Sequence, residues 1–152
     1  MTSRCHLSPS TMLPLLALAA SAGLSSCRTM PATERAQEPQ LVFAVAAAAQ
    51  DAQEVTPTVA QITPGSAEIA GTIATPNPCY EISATLATAK RDLQLQLTAR
   101  AREGICVQKL GAFEYRATIT GLRSGAYEIV IAYSYPETGW EPSAHRLAFN
   151  IP

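Results

Sequence analysis

The segment that decides the fold of this 152-residue chain reads FEYRATITGLRSGAYEIVIAYS and runs from Phe113 to Ser134. Apolar residues take every second position on both sides of a central turn, a period of two rather than the 3.6 of a helix. Successive side chains of a strand point to opposite faces of a sheet, so this alternation is typical of half-buried strands. The segment therefore predicts two consecutive strands, at 113–120 and 127–134.

The same alternation continues on both sides of this segment. The further predicted strands are Ala67–Ile73, Tyr80–Leu86, Leu93–Thr98, Ile105–Val107 and Leu147–Ile151. Gly and Pro punctuate the chain between them, and no segment has a convincing amphipathic helical pattern. About seven short strands at this spacing predict an all-β protein, a single antiparallel β-sandwich over residues 55–152.

Residues Ile119–Ile131 also carry a family resemblance. This stretch is similar to the strand–turn–strand region near the end of immunoglobulin-like, fibronectin type III and prealbumin-like sandwiches, with matching positions at Leu122, Gly125 and Tyr127. The resemblance implies an immunoglobulin-like sandwich and no function, because unrelated proteins share it. Antibody-type domains also have a core Trp between their two cysteines, and none lies between Cys79 and Cys106.

Composition excludes several functional classes. Eleven Lys and Arg against twelve Asp and Glu give a formal net charge of −1. A near-neutral chain gives no electrostatic reason to expect binding to nucleic acid or to an anionic membrane face. Hydrophobic residues make up 47% of the chain, so its composition is not that of a disordered protein.

The first 26 residues are predicted to be an export signal. Arg4 and His6 precede an apolar run from Met12 to Leu24. This run is shorter than the roughly 20 residues that a membrane-spanning helix needs, and small residues follow it.

The end of this signal, Leu24-Ser25-Ser26-Cys27, resembles the lipobox of bacterial lipoproteins. The resemblance implies that the Cys27 thiol receives a diacylglyceryl group, that the signal is cut before Cys27, and that the new amino group is often acylated. Arg28 stands where an Asp usually retains lipoproteins at the inner membrane. The implied location is therefore the cell envelope, at the outer membrane if the organism has one. An ordinary signal cleaved near Ala22 or Ser26 is the alternative.

Residues 27–54 are predicted to be the lipidated cysteine and a tether. Residues 28–40 are polar, contain two prolines and lack apolar periodicity, as linkers do. The sequence does not decide whether residues 41–49 form a strand, a helix or part of the tether, because a strand-like first half precedes a run of alanines. Residues 50–57 are polar again, so we expect the compact domain to begin near residue 55.

The cysteine count predicts one disulfide. Cys5 leaves with the signal and Cys27 carries lipid, which leaves Cys79 and Cys106 as an even pair in an exported chain. A zinc site on this pair lacks the four ligands that zinc prefers. Both cysteines fall on the polar phase of their strands, so we expect the bridge at a sheet edge or strand end.

Residues that carry chemistry are few, and we expect no enzyme, cofactor or metal site. His145 is the only histidine after the signal, and no nucleophile elbow, zinc-protease helix or phosphate loop is present. Glu137 and Glu141 fit two solvated loop acids better than a glycosidase pair. Lys90-Arg91 and Arg100-Ala101-Arg102 flank one strand, as a basic rim or as protection of a sheet edge.

The loop from Tyr135 to Pro142 is the best candidate for contact with a ligand or partner. It holds the only Trp of the chain, Trp140, and it is longer than a tight hairpin. Tyr135, Trp140 and His145 are the candidate binding residues. Trp140 either stays available to a partner or folds back as a lid on the core.

These observations favour a lipid-anchored, non-enzymatic binding or structural module of the envelope, which contacts a protein or a glycan. Two alternatives remain open. One is an accessory subunit or inhibitor that docks onto another envelope protein, and the other is an enzyme without recognisable motifs.

Overall fold

The computed structural model describes residues 38–49, 55–136 and 138–152. Within these ranges it contains eight strands and no helix. The strands are β1 Gln40–Ala47, β2 Thr58–Thr63, β3 Ser66–Thr75, β4 Tyr80–Ala89, β5 Asp92–Ala101, β6 Gly111–Thr120, β7 Gly125–Ser134 and β8 Ser143–Ile151. The predicted all-β class is confirmed. The predicted signal, Cys27 and the tether as far as residue 37 lie outside the described residues, as do residues 50–54 and Glu137.

The strands form two four-stranded sheets, ordered β1-β6-β3-β2 and β4-β5-β7-β8. Apolar residues from both sheets build one core between them, which confirms the β-sandwich. The alternating side chains fill this core as predicted, because one face of each sheet is buried. Its most deeply buried aliphatic side chains are Ile69, Ile73, Leu95, Leu97, Ile119, Ile129, Ile131 and Ile151.

One pair of strands departs from the antiparallel pattern. β5 and β7 run parallel, with Leu95 opposite Ile131. The strand between them in sequence, β6, belongs to the other sheet. The chain therefore crosses from one sheet to the other between β5 and β6 and crosses back between β6 and β7. As a result, β7 runs in the same direction as β5.

The domain begins earlier than predicted. Gln40–Ala47 forms β1 and pairs with β6 along its whole length, so the predicted boundary near residue 55 is too late. The predicted tether is thereby shortened at its C-terminal end. The alanines follow Phe43, which packs against the ring of Tyr115 with 6.2 Å between ring centroids. This tertiary pairing overrides the helix preference of an alanine run.

The predicted strand at Ile105–Val107 is wrong. These residues lie in the loop between β5 and β6, and Ile105 is fully exposed. Three alternating residues without a neighbouring strand cannot form the hydrogen bonds of a sheet. The alternation at 105–107 therefore does not correspond to a buried face of a strand.

Two tyrosines form the main polar contact of the core. The hydroxyls of Tyr115 and Tyr133 are 2.9 Å apart, and both side chains are buried. Burial raises the pKa of Tyr115, and the hydrogen bond with Tyr133 opposes that rise. The Tyr115 hydroxyl needs the glycine at position 71, because a Cβ there would lie 2.7 Å from it.

The connections gather at two ends of the sandwich. We call the end where the chain enters β1 the tether pole; it holds Glu38–Pro39 and the turns at 64–65, 90–91 and 121–124. The opposite end, the loop pole, holds the connections 76–79, 102–110 and 135–142. The register of β1 with β6 fixes this assignment, since Gln40 lies opposite Thr120 and Ala47 opposite Phe113.

Candidate functional site

The loop pole is built by two neighbouring parallel strands and by one short crossover. β5 and β7 run side by side toward this end, so the loops that follow them, 102–110 and 135–142, leave the same sheet from adjacent strands. The crossover 76–79 joins β3 of one sheet to β4 of the other at the same end. Three connections thus lie at the same end of the sandwich.

A disulfide fastens the first of these loops to the crossover. Cys79 and Cys106 are bonded, with 6.0 Å between their Cα atoms. The predicted pairing is confirmed, and it lies at a strand end as expected, because Cys79 immediately precedes β4. The backbone N–H of Arg102 also donates to the carbonyl of Cys79, at 2.8 Å.

Asn77 organises the crossover itself. Its side-chain oxygen accepts from the N–H of Cys79 at 3.0 Å, and its carbonyl accepts from the hydroxyl of the buried Thr75 at 2.7 Å. Gly111 lies so close that a Cβ there would be 2.6 Å from the Asn77 carbonyl oxygen. The base of the loop pole is therefore tightly packed, and it holds the 102–110 loop at both ends.

The 102–110 loop exposes three aliphatic side chains. The exposed fractions are 104% for Ile105, 59% for Val107 and 73% for Leu110. Aliphatic side chains of this size usually lie in cores, so these three are candidate contact residues. Sequence reasoning missed them as contact residues. The feature of the sequence that could have identified them is Cys106. A disulfide from Cys106 to Cys79, at the start of β4, places the residues next to Cys106 at a strand end rather than within a sheet.

Trp140 lies in the second loop and stands on Tyr135. The two rings meet edge to face with 5.4 Å between centroids, and Tyr135 is buried while 37% of Trp140 is exposed. Thr138 holds the turn: its hydroxyl donates to the Tyr135 carbonyl at 3.0 Å and accepts from the Trp140 N–H at 3.1 Å. Trp140 is thus neither a lid over the core nor a free ring. The ring is supported by Tyr135, and about a third of the residue's surface faces solvent.

His145 does not join this pair. It lies on β8 opposite Ile131 and is half-buried, with its ring 5.6 Å from the ring of Tyr133. Of the three candidate binding residues, the structure therefore brings Tyr135 and Trp140 together, and it places His145 beside the core tyrosine pair.

The two basic segments do not form one rim. Lys90-Arg91 and Arg100-Arg102 lie at opposite ends of β5, the first at the tether pole and the second at the loop pole. Arg91 is held by the sandwich, since its guanidinium lies 5.4 Å from the ring centroid of Tyr127 and donates to the Ser124 carbonyl at 3.0 Å.

Within the described residues, no three His, Cys, Asp or Glu side chains gather as metal ligands. Over the same ranges, no helix is long and apolar enough to span a membrane. No family model, curated protein or solved structure matches the chain.

Proposed function

We propose that this protein is a lipid-anchored, non-enzymatic module of the bacterial cell envelope that binds another envelope protein through its loop pole. The observation that carries the proposal is the opposition of the two poles. The chain enters β1 at the tether pole, and the exposed apolar side chains of the 102–110 loop lie at the other end.

The tether length fits this arrangement. Twelve residues separate Cys27 from Gln40. A fully extended segment of that length spans about 40 Å. The anchor therefore leaves the loop pole free to meet a partner, and two or three acyl chains hold a protein firmly at a bilayer.

Rigid apolar side chains suit a protein partner. Ile105, Val107 and Leu110 are aliphatic and exposed, and the disulfide and Asn77 already fix the backbone that carries them. Binding through a fixed loop loses little conformational entropy. An exposed aliphatic group is typical of protein contacts, which favours docking onto another envelope protein over recognition of a glycan. Trp140 adds an aromatic contact of the kind enriched in such interfaces.

Site-specific photo-cross-linking in the native envelope tests this proposal. A photoreactive residue at Val107 is compared with one at Thr85, an exposed position on β4 away from both poles. We expect one defined protein adduct from position 107 and none from position 85. Equal adducts from both positions, or none from position 107, would contradict binding through the loop pole.

The variant Trp140→Ala extends the test. We expect it to lower the yield of the adduct from position 107 several-fold. Its free energy of unfolding should fall by about 1 kcal/mol, well under the 3–5 kcal/mol of a core Trp truncation, because the ring is partly exposed. An unchanged adduct yield together with a core-sized loss of stability would make Trp140 a structural residue.

A further inference from the structure

Strand β1 is an open edge of its sheet. It pairs with β6 through every residue from Gln40 to Ala47, and no other described strand pairs with it. The strand is also apolar on both of its faces, with Val42 63% exposed on one face and Val45 40% exposed on the other. An edge of this kind is a template for the addition of another strand.

β1 lacks the features by which the other edge strands discourage pairing. β2 has six residues and a register irregularity between Val59 and Gln61. β4 carries Glu81, and β8 carries Arg146, which forms an ion pair with Glu128. The sequence of β1, QLVFAVAA, has no charge, no proline and no break in its register.

The hydrogen-bond pattern shows which backbone groups of β1 face outward. The N–H of Ala48 donates to the carbonyl of Ala112, one step beyond the pair Ala47–Phe113. Hydrogen-bonded and non-hydrogen-bonded pairs alternate along an antiparallel ladder. The even residues of β1 therefore bond to β6. The odd residues direct their N–H and C=O groups to the open edge, and these residues are Leu41, Phe43, Val45 and Ala47.

We infer that β1 pairs antiparallel with β1 of a second copy of this chain, about a two-fold axis at Ala44. Odd residues must pair with odd residues, because only they present free backbone groups. Among the registers that meet this condition, the one about Ala44 pairs all four odd residues of β1, Leu41 with Ala47 and Phe43 with Val45 of the second copy. The two sheets then join into one continuous sheet through the dimer.

The sequence of β1 is suited to meeting itself. A two-fold axis brings charged residues close to their own copies, and β1 has none. Phe43 opposite Val45 is an aromatic and β-branched pair, which stabilises antiparallel sheets. Ala44 on the axis is small enough for two identical side chains to face each other at the short spacing of a non-hydrogen-bonded pair. Two-fold dimers are also the commonest symmetric assembly.

The dimer is compatible with the anchor and the loop pole. Antiparallel pairing places the two Gln40 residues at opposite ends of the joined strands, and each extended tether, about 40 Å long, is longer than the roughly 25 Å of β1. Each end of the joined sheet then carries the tether pole of one copy beside the loop pole of the other, so the dimer lies with its strands along the bilayer, and both loop poles stay clear of the joined edge. This inference stands apart from the proposed binding function, since either can fail without the other.

Cysteine cross-linking tests the dimer and its register. Ala44→Cys is compared with Val42→Cys in the full chain, on non-reducing gels, with the parent chain as the background from its own cysteines. We expect a disulfide-linked dimer for Ala44→Cys, because Cβ atoms of a non-hydrogen-bonded pair lie within bridging reach. Val42→Cys should stay at the parent background. No added dimer for Ala44→Cys, or an equal amount for Val42→Cys, would overturn the inference.

A backbone variant tests the pairing without a new bond. Val45→Pro removes one outward N–H and leaves every hydrogen bond to β6 in place, and an edge strand tolerates proline there. Val45→Thr keeps the N–H and is the matched control. In sedimentation of the detergent-purified full chain, we expect a dimer for the parent and for Val45→Thr, and a folded monomer for Val45→Pro. A monomeric parent, or a dimeric Val45→Pro, would contradict strand pairing.

Discussion

Tyr115 and Tyr133 place two hydroxyls in a core that is otherwise mostly aliphatic. Each comes from a different sheet, Tyr115 from β6 and Tyr133 from β7, and they meet edge to face with 6.3 Å between ring centroids. Their hydroxyl contact of 2.9 Å links the two sheets across the core. The alternation of the sequence predicts that both side chains point inward, but not that their hydroxyls meet, because that depends on the packing of one sheet on the other.

This pair predicts a stability that depends on alkaline pH. Burial raises the pKa of Tyr115 in the folded protein, so the folded state keeps the phenol proton more tightly than the unfolded chain does. The resulting stabilisation is complete below the unfolded pKa of about 10, and it is lost as the pH rises through the folded pKa. We expect the contribution of Tyr115 to the free energy of unfolding in urea to be constant between pH 7 and pH 9 and to fall above pH 10.

The variant Tyr115→Phe identifies the source of this fall. It should lose about 1 kcal/mol at pH 7, the value of one hydrogen bond, and its alkaline decrease should be shallower than that of the parent. Parallel alkaline decreases in parent and variant would assign the effect to another group.

At the scale of elements, periodicity predicts strands but not their partners. Three predicted strands are present, and their alternate apolar side chains face the core as expected: Leu93–Thr98, 113–120 and 127–134. β1 was ambiguous because its helix-favouring alanines become a strand only when β6 lies beside them. β2 was missed because a six-residue strand with a register irregularity shows little alternation. Ile105–Val107 shows the reverse, since alternation without a neighbouring strand gives an exposed loop.

The disulfide is the element-scale feature with the clearest energetic consequence. Cys79 and Cys106 are 27 positions apart, and closing a loop of that size stabilises a fold by roughly 3–4 kcal/mol in the chain-entropy account. We expect the double variant Cys79→Ser, Cys106→Ser to lose about that much in urea unfolding. Trypsin should then cut at Arg102 and Lys109 much faster than in the parent, because the loop loses its anchor.

The control for the urea unfolding and the trypsin cleavage is the parent protein after reduction, reoxidation and refolding. A double variant with parental stability and a parental rate of cleavage at Lys109 would show that Asn77 and Gly111 hold the loop without the bridge.

For the whole molecule, the sequence predicts one of the two loops of the candidate site. The interruption between two regular strands predicts that the loop 135–142, which contains Trp140, lies at one end of the sandwich, and it does. The apolar tip at Ile105, Val107 and Leu110 was not expected. Its exposure depends on where the bridge places Cys106, and local alternation carries no such information. The opposition of the poles likewise follows only from the register of β1 with β6.

The account of the whole molecule depends most on the proposed anchor, because the proposed function requires attachment at Cys27 of a chain that enters β1 at the tether pole. The direct measurement is the intact mass and N-terminal peptide of the protein isolated from membranes. We predict a mature chain that begins at Cys27 and carries a diacylglyceryl thioether, with Cys27→Ala giving unprocessed or soluble protein. A mature chain that begins at another residue, or an unmodified Cys27 thiol, would contradict the account.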